Sequence, residues 1–279
     1  MQVHFRNITT IACFFAAVSL TAFSQETKPS PTPKSDTKSQ QNLAPNTKGV
    51  KAPMTAEAVA ESAIIIYGGP SLGGRKTLDQ IRKTSIERGK MKLINAQGQT
   101  EPVNYQKVSI RGENLDKERI RIDQEYPSLK YSLVFSDAKT FGLYNETIFT
   151  PRGDATKQFE NRIFHGIEAL LRYKENGSTL ELASHEKLMG VDFYVLDLTD
   201  KAGRKTRFYI SSKTYRVMMI DYEDEGIKYR RKFYNYNYAQ GTLVPFRSTL
   251  MANDKVIEES EILTVTYGQR VGEELFKAS

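Results

Sequence analysis

Side chains that usually perform catalysis or bind metal ions are scarce in this sequence. Its 279 residues include one cysteine and three histidines. The cysteine lies in an apolar N-terminal stretch, and only His165 and His185 lie beyond it. The segment "HEKLM" at His185 lacks the second histidine of a zinc-protease motif. We therefore expect no catalytic residue, no metal site and no cofactor, and we predict that the protein is not an enzyme.

Residues 1–24 have the pattern of a secretory signal peptide. Arg6 precedes the apolar run "ITTIACFFAAVSLTAF", and Ala22 and Ser24 supply the small residues of a cleavage site. The run is short and contains Thr and Ser, which makes it a poor transmembrane helix. Cys13 is either a lipidation site or an ordinary signal-peptide cysteine, and the missing leucine in "TIAC" favours the second interpretation. We predict export to the periplasm, with secretion as the second choice.

Residues 25–53 have the composition of a linker. They are rich in Pro, Ser, Thr, Lys and Gln, and such a segment cannot bury enough apolar surface to offset its ordering entropy. The formal charge of +7 divides into +1 for the signal peptide, +3 for the linker and +3 for residues 54–279. That balance argues against a nucleic-acid partner. The basic linker favours contact with an anionic membrane surface or cell-wall polymer.

Residues 54–279 are predicted to form one large β-rich domain. A helix capped by Thr55 and a second short helix come first. Beyond these helices, most of the chain alternates between apolar and polar residues, as short strands do. The connections between strands, such as "SKT", "DEG" and "AQG", are short and turn-like. Short connections join neighbouring strands that run antiparallel. About 10–12 strands in one meander must curl or close, so the sequence predicts an α+β domain with a large curled antiparallel β-sheet.

One long amphipathic helix is predicted to interrupt the strands, at "DATKQFENRIFHGIEALLRYK" from Asp154. Its apolar residues span roughly 180°, wider than the ~100° stripe of an ordinary surface helix. Such a helix is either a deeply buried core helix or a lid over a lipid cavity. In the lid interpretation, the ligand-binding candidates are Phe159, Ile163, Ile167, Leu170 and Leu171.

A row of tyrosines marks the predicted hairpin "FYNYNYAQGTLVPFRSTL". Strict alternation would place Tyr234, Tyr236 and Tyr238 on one face of the strand. Such a ladder is either packing within the sheet or the wall of a ligand site. For the second interpretation, the ligand-binding candidates on the sheet are Met218, Ile220, Tyr234 and Tyr236.

The C-terminal region carries three features of a known family. They are a strand that ends in "SSKT", a hairpin with Tyr238, Gly241, Val244 and Pro245, and a closing pattern from Val265 to Phe276. With these features and the order of its elements, the segment 54–279 resembles the outer-membrane lipoprotein-sorting protein-like family, the LolA-like proteins of the bacterial envelope.

This resemblance implies a LolA-like half-barrel domain over residues 54–279. Such a domain is an incomplete β-barrel whose concave face is covered by helices and lined with apolar side chains. Carriers of this fold hold the acyl chains of lipoproteins while crossing the periplasm, and relatives bind other lipids or act as envelope-stress sensors. The resemblance therefore implies a carrier whose partners are lipid acyl chains or lipoproteins. The alternative is a non-enzymatic protein-binding module of the envelope, a stress sensor or scaffold with a self-filled cavity.

Overall fold

The computed structural model describes residues 54–70, 73–145 and 147–277. The predicted signal peptide (1–24) and linker (25–53) lie outside these described residues. Within them, two helices, six strands, two more helices and seven strands follow in chain order. The helices are α1 (Ala56–Tyr67), α2 (Arg75–Ile81), α3 (Gly153–Phe164) and α4 (Ile167–Leu171). The strands are β1 (Thr84–Ile94), β2 (Thr100–Ile110), β3 (Arg119–Glu125), β4 (Lys130–Ser136), β5 (Lys139–Tyr144), β6 (Thr147–Phe149), β7 (Thr179–Leu188), β8 (Val191–Thr199), β9 (Lys205–Ser211), β10 (Val217–Asp224), β11 (Ile227–Ala239), β12 (Thr242–Ala252) and β13 (Lys255–Tyr267).

All 13 strands form one antiparallel sheet, in the order β6-β5-β4-β3-β2-β1-β13-β12-β11-β10-β9-β8-β7. The predicted α+β fold with a large curled antiparallel sheet is confirmed, with 13 strands instead of about 10–12. The sheet is open, because β6 and β7 have a neighbour on one side only. It is therefore an incomplete barrel and does not close into a β-barrel.

The two edge strands are consecutive in the sequence. Residues 150–178, which include α3 and α4, connect β6 at one edge with β7 at the other. This connection crosses one face of the sheet, which we call the concave face. The helices α1, α3 and α4 pack on that face with the main hydrophobic core between them and the strands.

Helix α1 shows how the concave core is built. It begins after Thr55, as predicted, and the Thr55 hydroxyl accepts a hydrogen bond from the Ala58 amide at 3.2 Å. Val59, Ala63 and Ile64 recur at helical spacing and are completely buried. Each large apolar side chain buried in this way stabilises the fold by about 1.5–3 kcal/mol.

The opposite, convex face carries a smaller cluster. Val108, Val134 and Leu143 are buried there together with Phe276. Phe276 belongs to a short 3-10 helix, Glu273–Phe276, which packs against β3 and β4. The C-terminal segment therefore covers apolar residues on the convex face of the sheet, which lie outside the concave core.

The long helix predicted from Asp154 is wrong in one respect, because it is interrupted. His165 ends α3, and Gly166 has extended backbone with ψ 175° before α4 begins. Glycine has low helix propensity, and a Cβ at Gly166 would lie 2.7 Å from the carbonyl oxygen of Arg162. The apolar arc is thus divided between two helices, whereas the sequence pattern treats it as continuous.

Gly89 in β1 lies at a closely packed position of the sheet, and its substitution tests that packing. Gly89 lies at a register shift between β1 and β13, and a Cβ there would be 2.4 Å from the carbonyl oxygen of Glu261 and 2.6 Å from the Tyr105 ring. We expect Gly89→Ala to lower the free energy of unfolding by about 1–3 kcal/mol, measured by urea denaturation. Gly153→Ala is the control, because a Cβ there meets open space at the start of α3. It should change stability by less than about 1 kcal/mol, and equal losses in both variants would contradict the packing described here.

Candidate functional site

A cavity of about 290 Å³ lies between the helices and the concave face of the sheet. Phe159, Ile163 and Ile167 contribute apolar side chains from α3 and α4. The strands supply a second apolar group: Ile120, Ile122, Phe233, Ile262 and Val265. The lining also includes many polar and charged side chains, so the cavity is amphipathic and not uniformly apolar.

The structure divides the five predicted lid residues into two groups. Phe159, Ile163 and Ile167 line the cavity. Leu170 and Leu171 do not, because they are fully buried in the concave core. Helix α4 therefore contributes Ile167 to the cavity lining and Leu170 and Leu171 to the concave core.

None of the four predicted sheet residues lines the cavity. Ile220 is completely buried in the concave core. Met218 packs in a separate cluster with Phe193 and Tyr209. Tyr234 is exposed, and Tyr236 packs against the concave core.

The tyrosine ladder is broken by the backbone of Asn235. This residue has a φ of +51°, which interrupts the alternation of side chains along β11. Tyr234 and Tyr238 are 43% and 50% exposed. The Tyr236 hydroxyl instead donates to the carbonyl oxygen of Val217, and its ring meets Tyr67 edge-to-face at 6.4 Å. The tyrosines therefore do not form a common wall.

Ion pairs anchor α3 and α4 to the rest of the domain. Glu168 of α4 accepts from Arg82 at 2.5 Å and from Arg111 at 2.8 Å. Burial opposes the ionisation of Glu168, but Arg111, Arg82 and Arg172 outweigh it and lower the pKa of this carboxyl to about 2. The carboxylate is therefore charged at neutral pH and holds α4 in place.

A second ion-pair group joins α3 to the sheet. The carboxylate of Glu258, in β13, is almost fully buried and pairs with Arg162 of α3 and with Arg231 of β11, the latter at 3.0 Å. Burial raises the pKa of this carboxyl, but Arg162 and Arg231 exceed that effect and lower it overall. The helices are thus fixed at two separated points by charge-assisted hydrogen bonds.

Solved structures share this architecture. An outer membrane lipoprotein-sorting protein domain from Vibrio parahaemolyticus superposes with a TM-score of 0.52 at 17% identity, over 72% of this chain and 92% of that one. A LolA superfamily protein from Nitrosomonas europaea gives a TM-score of 0.56 at 13% identity, over 80% and 98%. The chain has a LolA-like fold.

A third structure agrees with this LolA-like fold. A DUF1329 family protein from Desulfovibrio piger has a TM-score of 0.57 at 15% identity, over 80% of this chain and 97% of that one. No protein-family model and no curated protein matches the sequence. Identities this low establish a shared fold and leave the function to be argued from the site.

The described part of the LolA-like domain offers no arrangement of three or more His, Cys, Asp or Glu side chains that could hold a metal ion. Across the same residues, the helices are too short or too polar to cross a membrane.

His165 is a site residue that the sequence pattern misplaces. The predicted helix puts it on the polar side, yet its ring is buried, stacks on Tyr222 at 4.3 Å and lies 2.7 Å from the Thr206 hydroxyl. Burial, reinforced by Arg204, lowers its pKa to about 4. The neighbouring glycine, Gly166, is the one signal in the sequence that the helix would break here.

The charged side chains of the cavity are a further group that sequence reasoning missed. Lys107 and Arg111 share a strand face with Tyr105, and this alternation is readable in "NYQKVSIRG". Only the burial of Tyr105 in the concave core shows that this face is the concave one.

The Glu168 ion pairs should make stability depend on acidic pH. Replacing Glu168 with Gln removes the carboxylate partner of Arg82 and leaves Arg111, among the described residues, with Asp79 at 3.4 Å as its only carboxylate partner. We therefore expect a loss of about 1–3 kcal/mol at pH 7. We expect a loss no larger than this because the Glu168 side chain is 36% exposed, and solvent screens part of the interaction. The folded pKa lies below the ordinary value near 4.3, so this stabilisation is complete above about pH 5 and is lost as pH falls toward 2.

Urea denaturation of the wild type and Glu168→Gln at several pH values measures this difference. The difference in the free energy of unfolding between the two proteins should decrease as pH falls. Glu273→Gln is a matched control, since Glu273 pairs with Arg119 at the surface and should matter by less than about 1 kcal/mol. A stability difference that stays constant down to pH 2 would contradict the stabilising role of the ionised Glu168 carboxylate.

His165 should produce a second pH dependence at less acidic values. Because the folded state resists protonation until about pH 4, the unfolded state binds a proton first as pH falls below 6.5. We expect this histidine to remove about 3 kcal/mol of stability between pH 6.5 and pH 4. In His165→Gln that component should be absent, so its stability curve should be flatter over this window. Parallel curves for the two proteins would show that His165 is not the group responsible.

Proposed function

We propose that the protein is an exported, non-enzymatic carrier that holds lipid acyl chains, free or attached to lipoproteins, in the cavity of its LolA-like domain. The observation that carries this proposal is the apolar surface that α3 and α4 share with the strands. Phe159, Ile163 and Ile167 face this space from the helices. The similarity to a structure named as an outer membrane lipoprotein-sorting protein domain supports the same conclusion.

The binding would be non-covalent and driven by burial of the chain. Each buried CH₂ contributes about 0.8 kcal/mol, so a C16 chain can offset an association cost of about 4–15 kcal/mol. The cavity volume of about 290 Å³ is near the lower limit of small-molecule sites. This size suits one acyl chain better than several.

Entry and release would require the lid helices to move. Glu168 holds α4 to Arg82 at the end of α2, Arg162 holds α3 to Glu258 of β13, and both pairs border the cavity. The break at Gly166 lets α3 and α4 shift separately, so opening one helix need not unfold the other. In this proposal, the signal peptide (1–24) directs export to the periplasm, and the basic linker (25–53) keeps the domain near an anionic surface.

A protein-binding module of the envelope is the second candidate. The observation in its favour is that Leu170, Leu171 and Ile220 fill the concave core, so much of the space is occupied by the protein's own side chains. The charged lining of the cavity also differs from a purely apolar lipid site. In this case the cavity would be a packing defect without a ligand.

Native mass spectrometry with lipid extraction separates the two candidates. The full chain is purified without detergent from a bacterial periplasm, and we expect a mass surplus that resolves into acyl-containing lipid. A ligand-free mass that stays unchanged after lipids are offered would contradict the carrier and favour the protein-binding module.

A charge in the cavity should then remove the bound lipid. Ile167 lines the cavity and is partly buried, so Ile167→Asp would place an unpaired carboxylate beside the acyl chain. We expect bound lipid to fall by at least about tenfold. Ile65→Asp is the control, because Ile65 on α1 is 47% exposed and lies outside the cavity lining. Unchanged lipid content in Ile167→Asp, with the fold intact by circular dichroism, would contradict this location of the ligand.

A further inference from the structure

One lysine in the cavity stands apart from the other charged residues. Lys107 lies in β2 on the concave face, between Tyr105 and Ser109, and lines the cavity. Its side chain is half-buried. Within the described part of the chain, Lys107 has no ion pair or hydrogen bond from its side chain. A cation in such a position loses hydration without gaining a partner.

The other cations that reach the cavity are accounted for. Arg82 and Arg111 both pair with Glu168. Arg162 and Arg231 both pair with Glu258. One further residue of the lining, Arg247, is exposed to solvent. Lys107 is therefore the cavity cation, among the described residues, that is both partly desolvated and unpaired.

The carboxylate nearest in register is engaged elsewhere. Glu87 faces Lys107 across the β1–β2 pair, but it accepts the hydroxyl of Tyr105 at 2.9 Å and forms no ion pair with the lysine. At the next pair on the same face, the hydroxyls of Ser85 and Ser109 bond to each other at 2.7 Å. These groups give one part of the cavity a polar wall.

Apolar side chains begin directly beside this polar wall. Ile122 is the register partner of Lys107 on β3, and Ile120 is the partner of Ser109. Both isoleucines line the cavity. A molecule that fills the space would therefore meet a free ammonium group and hydrocarbon within one or two residues of each other.

We propose that Lys107 binds the anionic headgroup of an amphiphile whose acyl chain lies against Ile120, Ile122 and the lid helices. This inference rests on the proposed carrier function and specifies its ligand class. The headgroup is a carboxylate or a phosphate, since either accepts charge-assisted hydrogen bonds from an ammonium. An uncharged lipid of the same chain length leaves Lys107 without a partner and binds more weakly.

Binding of matched lipids to the full chain tests this selectivity. Hexadecanoate is compared with hexadecan-1-ol, and a C16 lysophosphatidate is compared with the C16 monoacylglycerol. A charge-assisted hydrogen bond favours the anionic member of each pair by about tenfold or more in Kd. A preference in the first pair alone identifies a carboxylate, and in the second pair alone a phosphate.

Three variants assign the preference to Lys107. Lys107→Gln removes the charge and should reduce the anionic preference to about threefold or less, whereas Lys107→Arg should retain it. Lys92→Gln is the matched control: Lys92 is an exposed lysine on β1 that alternates with the buried Met91, and it lies outside the cavity lining. The control should keep the full preference.

The outcomes separate this inference from the proposed function. Equal binding of charged and uncharged lipids would overturn the role of Lys107 and leave the carrier function standing. Absence of binding to all four lipids would overturn both. A preference that survives in Lys107→Gln would also overturn the assignment, because another cation would then hold the headgroup.

Discussion

The connection between the two edge strands governs the whole structure. Since β6 and β7 are consecutive in the sequence but lie at opposite edges of a 13-stranded sheet, the chain between them must cross a face of that sheet. The crossing segment becomes α3 and α4, because a face so large has to be covered by apolar side chains. An open sheet covered by a strap of helices is thus a consequence of the order of the strands, and the cavity lies under that strap.

The way in which the strap is held explains why space remains beneath it. Apolar side chains alone would draw the helices onto the sheet until the interior was closely packed. Instead, Glu168 joins α4 to Arg82 and Arg111, and Glu258 of β13 holds α3 through Arg162. The guanidinium groups in these pairs need room and hydrogen-bond partners. Buried ion pairs contribute little net stability compared with apolar packing of the same volume. Their contribution here is positional, since one pair joins α3 to β13 and the others join α4 to the end of α2 and the residue after β2.

Much of this fold can be read from periodicity, and the failures have local causes. Alternation and short turns predict the meander, and the Thr55 cap predicts the start of α1, because both signals depend on a few neighbouring residues. The break at Gly166 and the left-handed backbone of Asn235 each change which way the following side chains point. A period extrapolated across Asn235 assigns the faces of the tyrosines wrongly. His165 is misassigned because it ends α3, where the helical period stops. In these cases the sequence predicts the correct helix or strand but assigns some of its side chains to the wrong face.

The candidate site depends on register, which no single segment contains. Phe159, Ile163 and Ile167 can be chosen from the sequence because an amphipathic helix shows its apolar side. The opposing wall becomes visible only when β2 is aligned with β1 and β3, since that alignment puts Lys107 opposite both Glu87 and Ile122. Four arginines of the cavity form ion pairs with carboxylates, whereas the half-buried Lys107 forms none within the described residues, although Glu87 lies opposite it. The proposed selectivity follows from this arrangement, because an anionic ligand would give Lys107 the partner that Glu87, which accepts from Tyr105, does not provide.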